Sequence, residues 1–94
     1  MHFVIFCIDK PEITREPAVM QAHVEYLNQS PIKNVMSGPL TKDGGEGVIG
    51  SLYIVEAENR QAIEDFQKDD PLFKADYWET VEVRAFHKRV DNRE

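Results

Sequence analysis

The run Val48-Ile49-Gly50-Ser51-Leu52-Tyr53-Ile54-Val55 is apolar on both sides of any strand it forms. Successive strand side chains point to opposite faces. Val48, Leu52 and Ile54 therefore face one way, and Ile49, Tyr53 and Val55 the other. A sheet with one wet face alternates apolar and polar residues; this run does not. Phe3-Val4-Ile5-Phe6-Cys7-Ile8 is apolar on both sides too. From Tyr77 to His87, Val81, Val83 and Ala85 share one face, while Trp78 and Phe86 share the other with Thr80, Glu82 and Arg84. Helices cover only one face of a single sheet, so the second face needs another cover. A second copy of the sheet is the simplest one, in the commonest oligomer, a symmetric dimer. At ~25 cal/mol per Å² of apolar surface, leaving several such side chains wet forfeits several kcal/mol. The pattern predicts a homodimer with packed sheet faces.

The rest of the chain supplies helices at intervals. Phe3 to Ile8 reads as a buried strand ended by Asp9-Lys10-Pro11. Glu16 to Gln29 has helical spacing, with Val19, Met20, His23, Val24 and Leu27 on one stripe. Pro17 suits its first turn, where a missing N–H costs little. Ile32 to Leu40 is a weaker strand interrupted by Gly38-Pro39, and Pro39 requires an edge or a bulge. Lys42-Asp43-Gly44-Gly45-Glu46-Gly47 reads as a hairpin connection. It is a poor phosphate cradle, because no strand-to-helix step follows and Asp43 and Glu46 are acidic. Asn59 caps a helix to about Lys68, and Asp70-Pro71 opens a further helical turn. The order strand–helix–strand–strand–helix–strand predicts an α+β, ferredoxin-like βαββαβ sandwich, one antiparallel sheet with helices on one face. One domain spans 1–94, with residues 88–94 as a polar tail.

Composition narrows the function classes. Seventeen acidic against 11 basic residues leave a net charge of −6. Nucleic acid and anionic membranes are poor partners for such a chain. The single cysteine, Cys7, cannot form an internal disulfide, which points to an intracellular setting. No basic neighbour lowers its pKa, so it reads as a buried, inert thiol. No stretch has the ~18 apolar residues of a membrane span. The short run Phe3–Ile8 lacks the charged leader of a signal peptide. A soluble, cytoplasmic protein is expected.

Few residues invite chemistry. His23 lies on the buried edge of the first helix and titrates near neutral pH when unperturbed, as a general acid or base does. Its rival reading is a packed helix-edge ring. No second His or Cys lies three or four positions away and Glu25 points to another helix face, so a metal ligand is a poor reading. Asp70 before Pro71 is a helix N-cap, a role compatible with accepting a hydrogen bond from a histidine. Ser51 is a small polar residue in an apolar strand, able to bond a ligand or its own surroundings. Gly38 and Gly50 remove bulk, either for a ligand or for close strand packing. His2 and His87, at strand ends, are expected to be exposed.

Six segments taken in order resemble the YciI-like family, also called YCII-related proteins. They are Phe3 to Ile8, Ala22-His23-Val24, Ser37-Gly38-Pro39, Ile49-Gly50-Ser51, Lys68-Asp69-Asp70-Pro71-Leu72-Phe73 and the closing Ala85-Phe86. The resemblance covers nearly the whole chain. It implies a dimeric α+β barrel of ferredoxin-like subunits and a site whose histidine, aspartate and strand serine correspond to His23, Asp70 and Ser51. It implies a fold similar to muconolactone isomerase, and one relative is a dehydrochlorinase of a chlorinated hydroxyhydroquinone. Many relatives carry Arg-Pro where this chain has Met20 and Gln21, a departure that bears on substrate choice.

Two functions are consistent with these residues. The first is a cofactor-independent acid–base enzyme, an isomerase or a dehydrochlorinase-like lyase, acting on a small cyclic or enolisable molecule. His23 would move the proton, Asp70 would hold its ring, and Ser51, with Gly38 and Gly50 giving room, would receive the substrate. The second is a non-catalytic dimeric module binding a small ligand or serving as an accessory subunit. A monooxygenase on the related barrel rests on fold analogy alone.

Overall fold

A computed structural model describes residues 1–93. Glu94, the end of the expected tail, lies outside them. The elements are β1 (His2–Asp9), α1 (Pro17–Gln29), β2 (Lys33–Thr41), β3 (Val48–Glu56), α2 (Arg60–Lys68), α3 (Pro71–Lys74) and β4 (Trp78–Phe86). The strands form one antiparallel sheet in the order β2-β3-β1-β4. The two most apolar strands are central, because only there do both long edges find partners. This is the expected ferredoxin-like α+β arrangement, with the helices on one face.

Local sequence explains the helix boundaries. Pro17 sits in the first turn of α1. Asn59 accepts from the Ala62 amide at the start of α2, and Asp70 accepts from the Leu72 amide at the start of α3. Residues 42–47 turn between β2 and β3, with Gly45 and Gly47 at positive φ. Pro39 lies inside β2, an edge strand that continues through it, so the missing N–H removes no ladder bond from the sheet interior.

The core lies between sheet and helices. Phe3, Ile5 and Cys7 of β1, Tyr53 and Val55 of β3 and Val83 of β4 pack there against Ile63, Phe66 and Leu72. The other face carries Val4, Phe6 and Ile8 of β1 with Leu52 and Ile54 of β3. Phe6 is 39% exposed on that face, and Met36 and Phe86 beside it are 47% and 39% exposed. The second apolar face read from the sequence is therefore present and open in one chain.

Three placements differ from the sequence reading. Trp78 was expected on the open face with Phe86, but it is buried among the core residues. The register slips between Ile8 and Asp9, and a one-residue slip moves a side chain to the opposite face. Val48 was expected beside Leu52 and Ile54. A slip between Leu40 and Thr41 instead brings it to the helix side, near Ser51 and Tyr53. His2 is half-buried and pairs with Glu56 at 3.2 Å, whereas His87 is exposed as expected.

Candidate active site

His23 and Asp70, 47 positions apart, meet in the core layer. His23 Nδ1 lies 2.7 Å from Asp70 Oδ1. The same oxygen accepts from the Leu72 amide at 3.0 Å. Asp70 is 1% exposed and His23 5%. The cap reading and the histidine-partner reading of Asp70 therefore hold at the same atom. An ionised carboxylate only accepts, so His23 Nδ1 carries a proton, and in the neutral ring Nε2 presents a lone pair. The Tyr53 hydroxyl, 3.0 Å away, donates to that lone pair. Its ring stands edge-on to the imidazole, at 74°.

A second cluster adjoins the first. The Arg15 guanidinium grips Asp9 with two bonds, Nε to Oδ2 at 2.9 Å and Nη2 to Oδ1 at 2.8 Å. Nη2 also donates to Ser51 Oγ at 3.0 Å. Ser51 lies two positions before Tyr53 on β3, on the same strand face. Burial raises the Tyr53 pKa, as does the Asp70 charge, while the nearby Ser51 hydroxyl and the Arg15 charge oppose them. The Asp9 hydrogen bond holds Arg15 firmly protonated against the cost of burial. Cys7, fully buried nearby, is pushed from 9.0 to about 12 by burial and then by Asp70 and Asp9.

Four of these groups, His23, Tyr53, Ser51 and Arg15, line a cavity of about 430 Å³ between α1, β2 and β3. The volume falls in the range of small-molecule pockets. His23, Tyr53, Ser51 and Arg15 form its polar end, and Met20, Val24, Leu27, Pro39 and Val48 its apolar wall. Val24 belongs to the apolar stripe of α1 yet is 49% exposed, because it lines this hollow, while Val19, Met20 and Leu27 also pack on the core. Gly38 lines the cavity, and a Cβ there would meet nothing. Gly50 does not line it; a Cβ there would overlap the Cys7 carbonyl oxygen, so its role is close strand packing. Met20 also lines the cavity, against Arg15 Nη1 at 3.9 Å, whereas Gln21 is exposed and bonds Glu25. The cavity thus contains a guanidinium, supplied by the loop before α1. Among the described residues, no three His, Cys, Asp or Glu side chains converge as for a metal ion. Among the same residues, no helix is long and apolar enough to cross a membrane.

Sequence reading missed Tyr53, Arg15 and Asp9. Tyr53 was counted as core, although it lies two positions from Ser51, a spacing that puts both hydroxyls on one strand face. Asp9 and Arg15 bracket a short polar loop, and nothing local shows that they fold inward.

Sheet order and one-sided helices define a ferredoxin-like α+β protein, with a polar cluster lining a cavity of small-molecule size. The chain matches the YCII-related domain over residues 1–87 and belongs to that family. An uncharacterised protein of Haemophilus influenzae is 32% identical over 96 residues, covering 94% of this chain and 98% of that one. The fold is similar to the 5-chloro-2-hydroxyhydroquinone dehydrochlorinase TftG of Burkholderia phenoliruptrix, solved with 2,5-dihydroxybenzoquinone. That match has a TM-score of 0.76 and 26% identity and covers 93% of this chain and 94% of that one. A dimeric protein of unknown function and ferredoxin-like fold from Bacteroides fragilis matches with a TM-score of 0.52 and 15% identity. It covers 90% of this chain and 94% of its own, a likeness of fold alone.

Proposed function

We propose that this protein is a cofactor-independent acid–base enzyme of the isomerase or lyase type, acting on a small hydroxylated, enolisable ring. The observation that carries the reading is the buried His23–Asp70 contact of 2.7 Å at the wall of an open cavity. Asp70 holds the imidazole in one tautomer and stabilises its charged form. The base removes a proton from a ring hydroxyl and returns it to a ring carbon, which isomerises an enol to a ketone. If that carbon bears a halogen, loss of a second hydroxyl proton expels halide with the carbon–halogen electron pair. The sum is elimination of HX. A positioned base contributes about 10²–10⁴ in rate, roughly 3–5 kcal/mol of barrier. That is enough for an activated ring and too little for an inert one. The likeness to a dehydrochlorinase of a hydroxyhydroquinone supports a substrate of this class.

The test is chloride release from 5-chloro-2-hydroxyhydroquinone by the wild type and His23→Ala. A drop of about 10² or more in kcat is expected on removing the base. Equal rates would remove the enzyme reading for this substrate. The same cavity serves a non-catalytic binding module, favoured by Asp70's second duty as cap of α3. In that case 2,5-dihydroxybenzoquinone binds the wild type and no turnover accompanies it.

The open apolar face of β1 and β3 supports a homodimer joined through its sheets.

A further inference from the structure

Both nitrogens of His23 are engaged within the protein, Nδ1 by Asp70 and Nε2 by Tyr53. No ring nitrogen remains for a substrate. Asp70 does not line the cavity and is almost wholly buried. The hydrogen bonds nevertheless run in one direction. Tyr53 donates to His23 and His23 to Asp70, while Arg15 donates to Ser51 beside them. The buried end sets this polarity, since a carboxylate only accepts. Within the Tyr–His–Asp series, only the Tyr53 oxygen has a lone pair to spare beside the cavity.

We infer that Tyr53 Oη, not the imidazole, is the atom that exchanges a proton with the bound substrate, and that His23 is the proton store behind it. The assignment rests on the acid–base reading above. In the forward step the substrate O–H bond breaks and an O–H bond forms on Tyr53 Oη. The original phenolic O–H bond breaks as an N–H bond forms on His23 Nε2. The products are a substrate anion, a neutral Tyr53 and an imidazolium facing Asp70. The return step reverses each transfer. Because Tyr53 gives up one proton as it gains another, no free phenolate is needed in a buried place where it would be costly. Arg15 and Ser51 are positioning residues: their 3.0 Å bond fixes the guanidinium at the cavity wall that Tyr53 also lines. There its charge favours negative charge developing on the substrate.

The test combines kinetics with imidazole ¹⁵N NMR. Tyr53→Phe, which keeps the ring, is expected to lower kcat for the chlorinated quinol about 10²-fold or more, as His23→Asn does, with KM little changed. The double variant is expected to be no slower than the slower single one, as for residues acting as one unit. A Tyr53→Phe enzyme with wild-type kcat beside a slow His23→Asn enzyme overturns the relay and leaves the acid–base reading standing. If the wild type releases no chloride, that reading fails for this substrate and the spectrum decides the relay separately. A neutral ring protonated at Nδ1, with an Nε2 resonance that moves in Tyr53→Phe, upholds the donor order. A proton on Nε2 overturns it.

Discussion

Asp70 Oδ1 accepts from both the Leu72 amide and the His23 ring, so its substitutions separate two jobs. Asparagine is a good N-cap, whereas alanine is not. Asp70→Asn is therefore expected to keep the start of α3 and lose the charged partner of His23. Asp70→Ala loses both and is expected to be about 1–2 kcal/mol less stable than Asp70→Asn by urea denaturation. Both variants are expected to lose turnover. Equal stabilities would mean that the cap contributes nothing. Ser51→Ala tests the positioning role: kcat is expected to fall several-fold with KM nearly unchanged, since the Tyr53 oxygen remains but the guanidinium at the cavity loses one of its anchors. An unchanged kcat argues against that role.

At the scale of the strand, the two glycines read alike in sequence and differ in the fold. Gly50→Ala drives a Cβ into the Cys7 carbonyl, backbone against backbone, and is expected to prevent folding or to open the β1–β3 pairing. Gly38→Ala meets open space and is expected to change the urea midpoint little. The reverse order of stabilities would contradict the packing described. Cys7, in the same pair of strands, gives a pH prediction. Its thiol is raised from 9.0 to about 12, so the folded chain holds this proton more tightly than the unfolded one. That contribution is complete below pH 9.0 and is lost as the pH rises towards 12. Tyr53, also raised, acts with the same sign at higher pH. Thermal midpoints are expected to fall across this alkaline window, less steeply in Cys7→Ala. A thiol reagent at pH 8 is expected to label native protein slowly and urea-unfolded protein fast; fast native labelling would show that Cys7 is not sealed.

For the whole molecule, the open sheet face governs assembly. Phe6 stands near its middle, on a central strand. Phe6→Glu is expected to give a monomer by light scattering with wild-type circular dichroism, while the unsubstituted protein runs as a dimer. A dimeric Phe6→Glu would place the interface elsewhere. Much of this was legible in the chain. Period-two runs such as Phe3–Ile8 and Val48–Val55 specify strands and both of their faces, and Asn59 and Asp70-Pro71 mark helix starts, because these signals act over a few residues. Register slips are another matter: Trp78 and Val48 changed face because their pairing is decided by partner strands. The site divides in the same way. His23 and Asp70 stand out by residue type and family likeness, but their contact, and the grouping of Arg15, Ser51 and Tyr53 beside it, come from β1, β3, α1, α3 and a loop brought to one place. Local pattern determined which segments become strands and helices, and which strand faces need burial. Only packing of distant elements decided which hydroxyl meets which ring, because hydrogen bonds across long separations depend on register and distance that no short stretch of sequence encodes.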